Sequence, residues 1–309
     1  MTSTEKAGSP KRRLGDLVFA NLTRSAGILI LLALAGVAIF LAAEGAPAVG
    51  AKPSDLSGHS SLVSYIWPLV FGTLLAAAIA LLIAVPLAIG VALSISHYAP
   101  RRIATAIGYV VDLLAAVPSV VYGLWGIGFL GVHLVPVYAW LDDHVGWLPL
   151  FAGPASNTGR TILTASIVLA IMVLPIVTSI SREIFNQTPS LHQEAALALG
   201  ATRWEMIRLA VLPYARSGIV SAAMLGLGRA LGETMAVAMV LSASGVVSFN
   251  LISATNPSTI AANIALTFNN AQGKEVNVLI FSGLVLFVIT FVVNFAARAV
   301  VGRYETKVA

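Results

Sequence analysis

The sequence predicts an all-α membrane protein with six transmembrane helices and both termini in the cytoplasm. Three observations lead there. Of 309 residues, 58% are hydrophobic and only 10% charged, where a soluble domain carries about 25% charged residues; the mean hydropathy is +0.91. Six runs reach the roughly 20 apolar residues that a spanning helix needs, at about 25–43, 66–95, 103–130, 162–180, 217–243 and 277–300. Lys and Arg divide unevenly between alternate loops. Fourteen of the 18 fall in the N-terminal tail (Lys6, Lys11, Arg12, Arg13, Arg24), the 97–102 turn (Arg101, Arg102), the 181–216 segment (Arg182, Arg203, Arg208, Arg216) and the C-terminal end (Arg298, Arg303, Lys307). The opposite loops, 44–65, 131–161 and 244–276, hold only Lys52, Arg160 and Lys274. Basic loops stay cytoplasmic, so the net charge of +5 reports topology and gives no case for nucleic-acid binding. The absence of cysteine excludes a disulfide framework and a thiolate metal site. No paired-His spacing appears, so no metal or cofactor is expected.

Residues 1–24 read as a cytoplasmic tail, disordered over its charged, Ser/Gly-rich first 20 residues. Residues 25–309 form the transmembrane domain, with its core at 65–300. The first span follows basic residues and precedes "AAEGAPAVGA", as a cleaved signal peptide would. Ala26–Ala43 gives 18 apolar-run residues, longer than the 7–15 of a signal core, and favours a retained span. The second and third runs are long enough to tilt or to extend past the bilayer. Pro86, Pro118 and Pro175 lie in the second, third and fourth runs. Each marks either a kink absorbed by neighbouring helices or a broken helix lining a pathway. The outer loop 131–161 carries Tyr138, Trp140, Trp147, Asp142 and Asp143. Its tryptophans fit the membrane interface, with a docking surface for an external partner as the alternative. The stretch 250–270 is weakly amphipathic and reads as a short surface or re-entrant helix.

Residues 181–216, "SREIFNQTPSLHQEAALALGATRWEMIRLAVLPYAR", form the only cytoplasmic loop long enough for a small structure. Thr188 as cap with Pro189 at the first position starts one helix. Gly200 turns the chain. Thr202 and Glu205 form a capping box for a second helix, which should end or bend at Pro213. Ala195, Ala196, Leu199 and Trp204 occupy small or apolar positions. A plain cytoplasmic hairpin would meet this description. The order of residues goes further, because "EAALALGATRWEMIRLAVLP" resembles the EAA loop of ABC-importer permeases. Glu194, Ala195, Ala196, Gly200, Leu212 and Pro213 match in position, and Ala210 stands where that pattern has Ile. The resemblance implies a helix pair that docks in a groove of an ATP-hydrolysing subunit. The chain has no G-x-x-x-x-G-K-[ST], so it is not the ATPase, and the resemblance implies a transport subunit that is no enzyme, with ATP hydrolysis carried by a separate partner.

"GLGRALGETMAV", residues 226–237, sets two charges in an apolar run. As a dinucleotide fingerprint it fails, since Leu231 replaces the third Gly and no strand precedes it. Gly228 and Gly232 form a G-x-x-x-G for close helix approach. Arg229 and Glu233 are four apart, on one helix face. They can be a mutual salt bridge that locks the bundle. They can also mark a solute pathway, because a mid-bilayer charge costs about 3 kcal/mol and two apolar residues would lock helices without that cost. Asp112, read as inside the third span, joins them as a pathway candidate. The planar, two-pronged donor of Arg229 suits an oxyanion. Adjacent carboxylates keep the anion from binding too firmly, and can accept a hydrogen bond from the proton of HPO₄²⁻, which sulfate does not carry; this favours phosphate modestly.

With "AAVPSVVYGLWG" in the third span, "GLGRALGETMAV" after the EAA loop is similar to the phosphate-specific ABC-importer permeases of PstC type, over about residues 65–300. The resemblance implies the type I permease fold in a bacterial cytoplasmic (inner) membrane. It also implies a heterodimer with a PstA-type permease, an ATPase dimer inside and a phosphate-binding protein outside. Other readings remain: a sulfate or molybdate permease, a gradient-driven secondary anion transporter (no internal repeat is evident), or a membrane scaffold or sensor of phosphate status.

Overall fold

The computed structural model describes residues 14–305. Six helical stretches among them are long and apolar enough to cross a membrane: Val18–Gly50, Leu62–Tyr98, Ser119–Val145, Ile162–Asn186, Arg203–Gly232 and Lys274–Ala299. In chain order the helices are α1 (Leu14–Gly45), α2 (Leu62–Leu93), α3 (Arg101–Ala115), α4 (Ser119–Trp125), α5 (Val132–Val145), α6 (Ile162–Asn186), α7 (Ser190–Ala198), α8 (Arg203–Met206), α9 (Leu212–Gly232), α10 (Met235–Val240), α11 (Ile260–Thr267) and α12 (Lys274–Glu305). Single π-helical turns join α4 to α5 and α8 to α9, so each pair crosses as one rod.

Three expectations change. The tail was expected to run disordered to residue 20, but α1 already begins at Leu14; residues 1–13 lie outside the described part. The third crossing is Ser119–Val145, not 103–130. Pro118 disfavours helical backbone at Val117, so α3 stops at Ala115 and the crossing restarts at Ser119. It then absorbs the first half of the expected outer loop, which puts Tyr138 and Trp140 on α5. Pro86 and Pro175, by contrast, stay inside α2 and α6, and no break occurs there. The fifth crossing ends at Gly232, where 217–243 was expected to be continuous. The weakly amphipathic stretch forms one short helix, α11, with Ile260, Ala261 and Ala262 buried.

The core is α6 held between α2 and α9. Ala76, Ala80, Ala84 and Ala88 recur every four residues along α2 and are at most 1% exposed. This small-residue stripe lets the backbones come close, the main route to helix association where lipid is as apolar as the side chains. On the other side, a Cβ on Gly226 of α9 would strike Val173 of α6, and one on Gly218 would strike Ile184. These are the glycines of close approach. Gly228 and Gly232, expected in that role, have nothing within 4 Å of where their Cβ would be. The first span leans on α12, where Gly45 meets Phe281, and leaves most of its apolar surface exposed.

Candidate functional site: a broken fifth span and an exposed hairpin

The break in the fifth span sits inside the charged motif. Gly232 ends α9, and Glu233 is extended (φ −68, ψ 123). Thr234 Oγ1 donates to the Gly232 carbonyl at 3.1 Å, the local side-chain competition by which Thr opposes helix continuation. Helix then resumes for six residues as α10. Helix persists through Gly232, so Arg229 and Glu233 keep the i, i+4 relation, but no ion pair forms between them. The Glu233 carboxylate instead accepts the Ala236 N–H at 3.1 Å, capping α10, and is buried.

Arg229 is left without a carboxylate partner. The one ion pair among the described residues is elsewhere, and the buried Arg229 Nε has no acceptor. A buried donor in that condition is rare. The residue borders a cavity of about 1150 Å³ between α1, α6, α9 and α12, whose other polar lining comes from Ser221, Asn294 and Arg298. The arrangement is a fixed cation with an open face next to a helix end, able to receive an anion.

α10 is held firmly. Gly123 and Gly126 leave no room for a Cβ against Ala236 and Val240, so the α4 rod lies directly on it. At its far end Arg160 Nη2 donates to the carbonyl of Met239 at 3.2 Å and of Leu241 at 3.5 Å, closing the C-terminus of α10 with a cation. Sequence reasoning treated Arg160 only as a loop charge. Its isolation in an outer loop poor in Lys and Arg was the available signal. Asn256, fully buried, was missed too. Its Oδ1 accepts the Ile162 N–H at 3.0 Å, and its Nδ2 donates to the carbonyls of Ser253, Arg160 and Ser242. It ties the loop after α10 to the start of α6.

Asp112 is on α3, outside the third crossing. Its Oδ2 accepts from Arg182 Nη2 of α6 at 3.3 Å and its Oδ1 from Ser179 Oγ at 2.8 Å. The structure therefore pairs it with Arg182 and not with Arg229.

The hairpin forms with a shifted start. Pro189, not Thr188, holds the cap position of α7; the Thr188 hydroxyl is buried without a partner. Gly200 turns the chain at φ +86, a backbone region that side-chain-bearing residues rarely adopt. Thr202 and Glu205 make the reciprocal capping box. The second helix does not end at Pro213. The wide turn Ile207–Val211 precedes that residue and absorbs its missing N–H, so the helix runs on into α9. The buried side chains Met206, Ile207, Val211 and Ala215 pack with Ala92, Leu93 and Phe185 at the feet of α2 and α6. On the outer side Leu199 is 90% exposed, with Leu191, Trp204 and Leu209 also open. A cleft of about 930 Å³ runs past Ala195, Ala196, Gly200, Ala210 and Pro213. An exposed apolar patch of this kind is the mark of a protein or membrane contact.

Six crossings, a fifth span broken at its charges, and a hairpin with an apolar outer face define the membrane-spanning subunit of a transport system. The family described as "binding-protein-dependent transport system inner membrane component" matches residues 84–306, and the chain belongs to it. Over 305 residues it is 46% identical to the phosphate transport system permease protein PstC 2 of Mycobacterium tuberculosis, covering 95% of this chain and 93% of that protein. The Mesorhizobium japonicum phosphate transport system permease protein PstC is 40% identical over 310 residues, with 95% and 92% covered. Among solved structures, the MetNI methionine ABC transporter in inward-facing conformations superposes with a TM-score of 0.51 at 17% identity, over 77% of this chain and 93% of that one. At that identity the likeness concerns the fold. The chain is thus a multi-pass protein of a bacterial inner membrane with an ABC-importer permease fold.

Proposed function

We propose that this chain is one of two permease subunits of an ATP-driven importer of inorganic phosphate. The observation that carries the reading is Arg229: a partner-free guanidinium at a helix break, in a chain 40–46% identical to named phosphate permeases. A guanidinium binds an oxyanion with two parallel N–H donors. The absence of a salt bridge leaves those donors free for cargo, and the Glu233 carboxylate at the break limits how firmly an anion is held. The basic segments at Arg101, Arg182 and Arg203 face the cytoplasm, as the positive-inside rule requires. The hairpin 190–212 then meets an ATPase subunit through Leu199, Leu191 and the cleft at Ala195 and Gly200. The second permease is of PstA type, the ATPase is a dimer, and a phosphate-binding protein delivers cargo from outside. Radiolabelled phosphate uptake in cells lacking this chain tests the reading, with sulfate as control. Loss of phosphate uptake with sulfate uptake intact is expected. Unchanged phosphate uptake, or loss of sulfate uptake instead, overturns it.

A further inference from the structure

The Arg182–Asp112 pair joins two elements that lead to opposite ends of the proposed machinery. Arg182 lies four residues before α6 ends at Asn186, and four residues later the hairpin helix α7 begins. Asp112 lies three residues before α3 ends at Ala115, and past Pro118 the chain enters α4. That corner is tied: Tyr122 Oη donates to the Leu114 carbonyl at 2.9 Å across the break. α4 in turn lies on α10, with Gly123 against Ala236 and Gly126 against Val240. The N-terminus of α10 is capped by Glu233, so the line ends at the break that carries the arginine.

Three features show that the pair sets position rather than filling space. The Arg182 guanidinium reaches Gly108 with its Nη1 end, where a Cβ would collide with it. Ser179 satisfies the second carboxylate oxygen at 2.8 Å, so Asp112 is held at both oxygens. Its side chains are 22% and 46% exposed, and an ion pair that open contributes little to stability. Meanwhile α3 turns Ile103, Ile107, Val110 and Leu113 outward, and its packing is on α6 and the turn at the end of α2. It is a helix attached along one side, joined to its support by one two-point polar contact.

We infer that Arg182 and Asp112 form a coupling strut: they make α3 move with the foot of α6, so that displacement of the ATPase-docked hairpin reaches α10 and the Arg229–Glu233 break. Both are positioning residues that act through α3 and α4 and touch no cargo. The inference rests on the importer reading above.

The test uses the complete transporter with Asp112→Asn, Arg182→Gln, or the charge swap Asp112→Arg with Arg182→Asp. Anion uptake, ATP hydrolysis and complex abundance are measured together. Each single change should lower uptake about tenfold, within the usual range for coupling between sites, while abundance and ATP hydrolysis persist. The ATP consumed per anion transported therefore rises by about the same factor. The charge swap should transport better than either single variant. Single variants with parental uptake and parental ATP-to-anion ratio overturn the strut. So does uptake lost only in step with abundance, or failure to assemble, because a half-open ion pair acting as a strut does not hold the fold. The ratio is read with whichever anion the parent complex moves, so a wrong cargo assignment shows in the parent and leaves this test standing.

Discussion

Replacing Arg229 with Gln removes a charge that the folded chain does not use internally. Its Nε has no acceptor and no carboxylate pairs with it, so the substitution breaks no hydrogen bond within the subunit. Glu233 loses nothing either, because its carboxylate is bonded to the Ala236 N–H. Abundance should stay near the parental level. Cargo loses a charge-assisted hydrogen bond worth about 1.5–3 kcal/mol, which converts to a fall in uptake of roughly 10- to 150-fold. Arg229→Lys should recover part of this, since a point charge replaces a two-pronged donor. Glu233→Gln should cost less, as an amide oxygen still accepts the Ala236 N–H and the cation remains. The decisive variant is the double change, Arg229→Gln with Glu233→Gln. If the two residues were only a lock, neutralising both would restore what either single change lost. The absence of an ion pair between them predicts no restoration. Uptake of labelled phosphate and immunodetected abundance in the four variants check this, and near-parental uptake in the double variant would refute the reasoning.

Three further outcomes are expected. Gly200→Val should uncouple ATP hydrolysis from uptake while the spans stay folded; the cause is the φ of +86, which costs a β-branched residue about 1–3 kcal/mol, since the Cβ itself would meet open space. Normal uptake and normal ATP-to-phosphate ratio in this variant would sink the coupling role. Asn256→Ala should lower the thermal midpoint of the purified complex, because the buried Ile162 N–H loses its acceptor at a cost of about 1–3 kcal/mol; an unshifted midpoint contradicts the tie. A reporter active only in the cytoplasm should work near Arg102, Arg203 or the C-terminus and stay silent at Asp143 or Asn256, and activity at Asp143 would invalidate the third crossing.

Hydrophobicity and charge placement made the span count legible, because lipid imposes the same length and composition on every crossing. Where the spans break was less legible. Pro86, Pro118 and Pro175 look alike in the sequence, yet only Pro118 marks a break. Pro86 and Pro175 sit in α2 and α6, whose mutual packing holds the helix on both sides of the ring. α3 has no such second support, so the local preference at Val117 prevails. The break at Gly232–Thr234 left a weaker trace. Ala, Leu and Met on either side favour helix, and the competing groups are one hydroxyl and one carboxylate whose hydrogen bonds depend on where α10 lands.

That landing also explains why the salt-bridge alternative for the two charges is not realised. Spacing of four along a helix lets two side chains pair and does not oblige them to. Thr234 and Glu233 spend their polar atoms on the backbone at the break, and the Glu233 carboxylate, turned forward to the Ala236 N–H, forms no ion pair with Arg229. The same residues therefore do two things at once. The Thr234 hydroxyl satisfies the Gly232 carbonyl at the end of α9 and the Glu233 carboxylate satisfies the Ala236 N–H at the start of α10, where the bilayer cannot hydrate a frayed terminus, and the guanidinium one turn earlier is left without an internal counter-charge. A paired arginine would be an architectural element, inert to solute. On the proposed importer reading, an arginine kept unpaired beside a capped break is available to a passing anion, and the cap that frees it lies on the element, α10, that α4 and Arg160 hold in place.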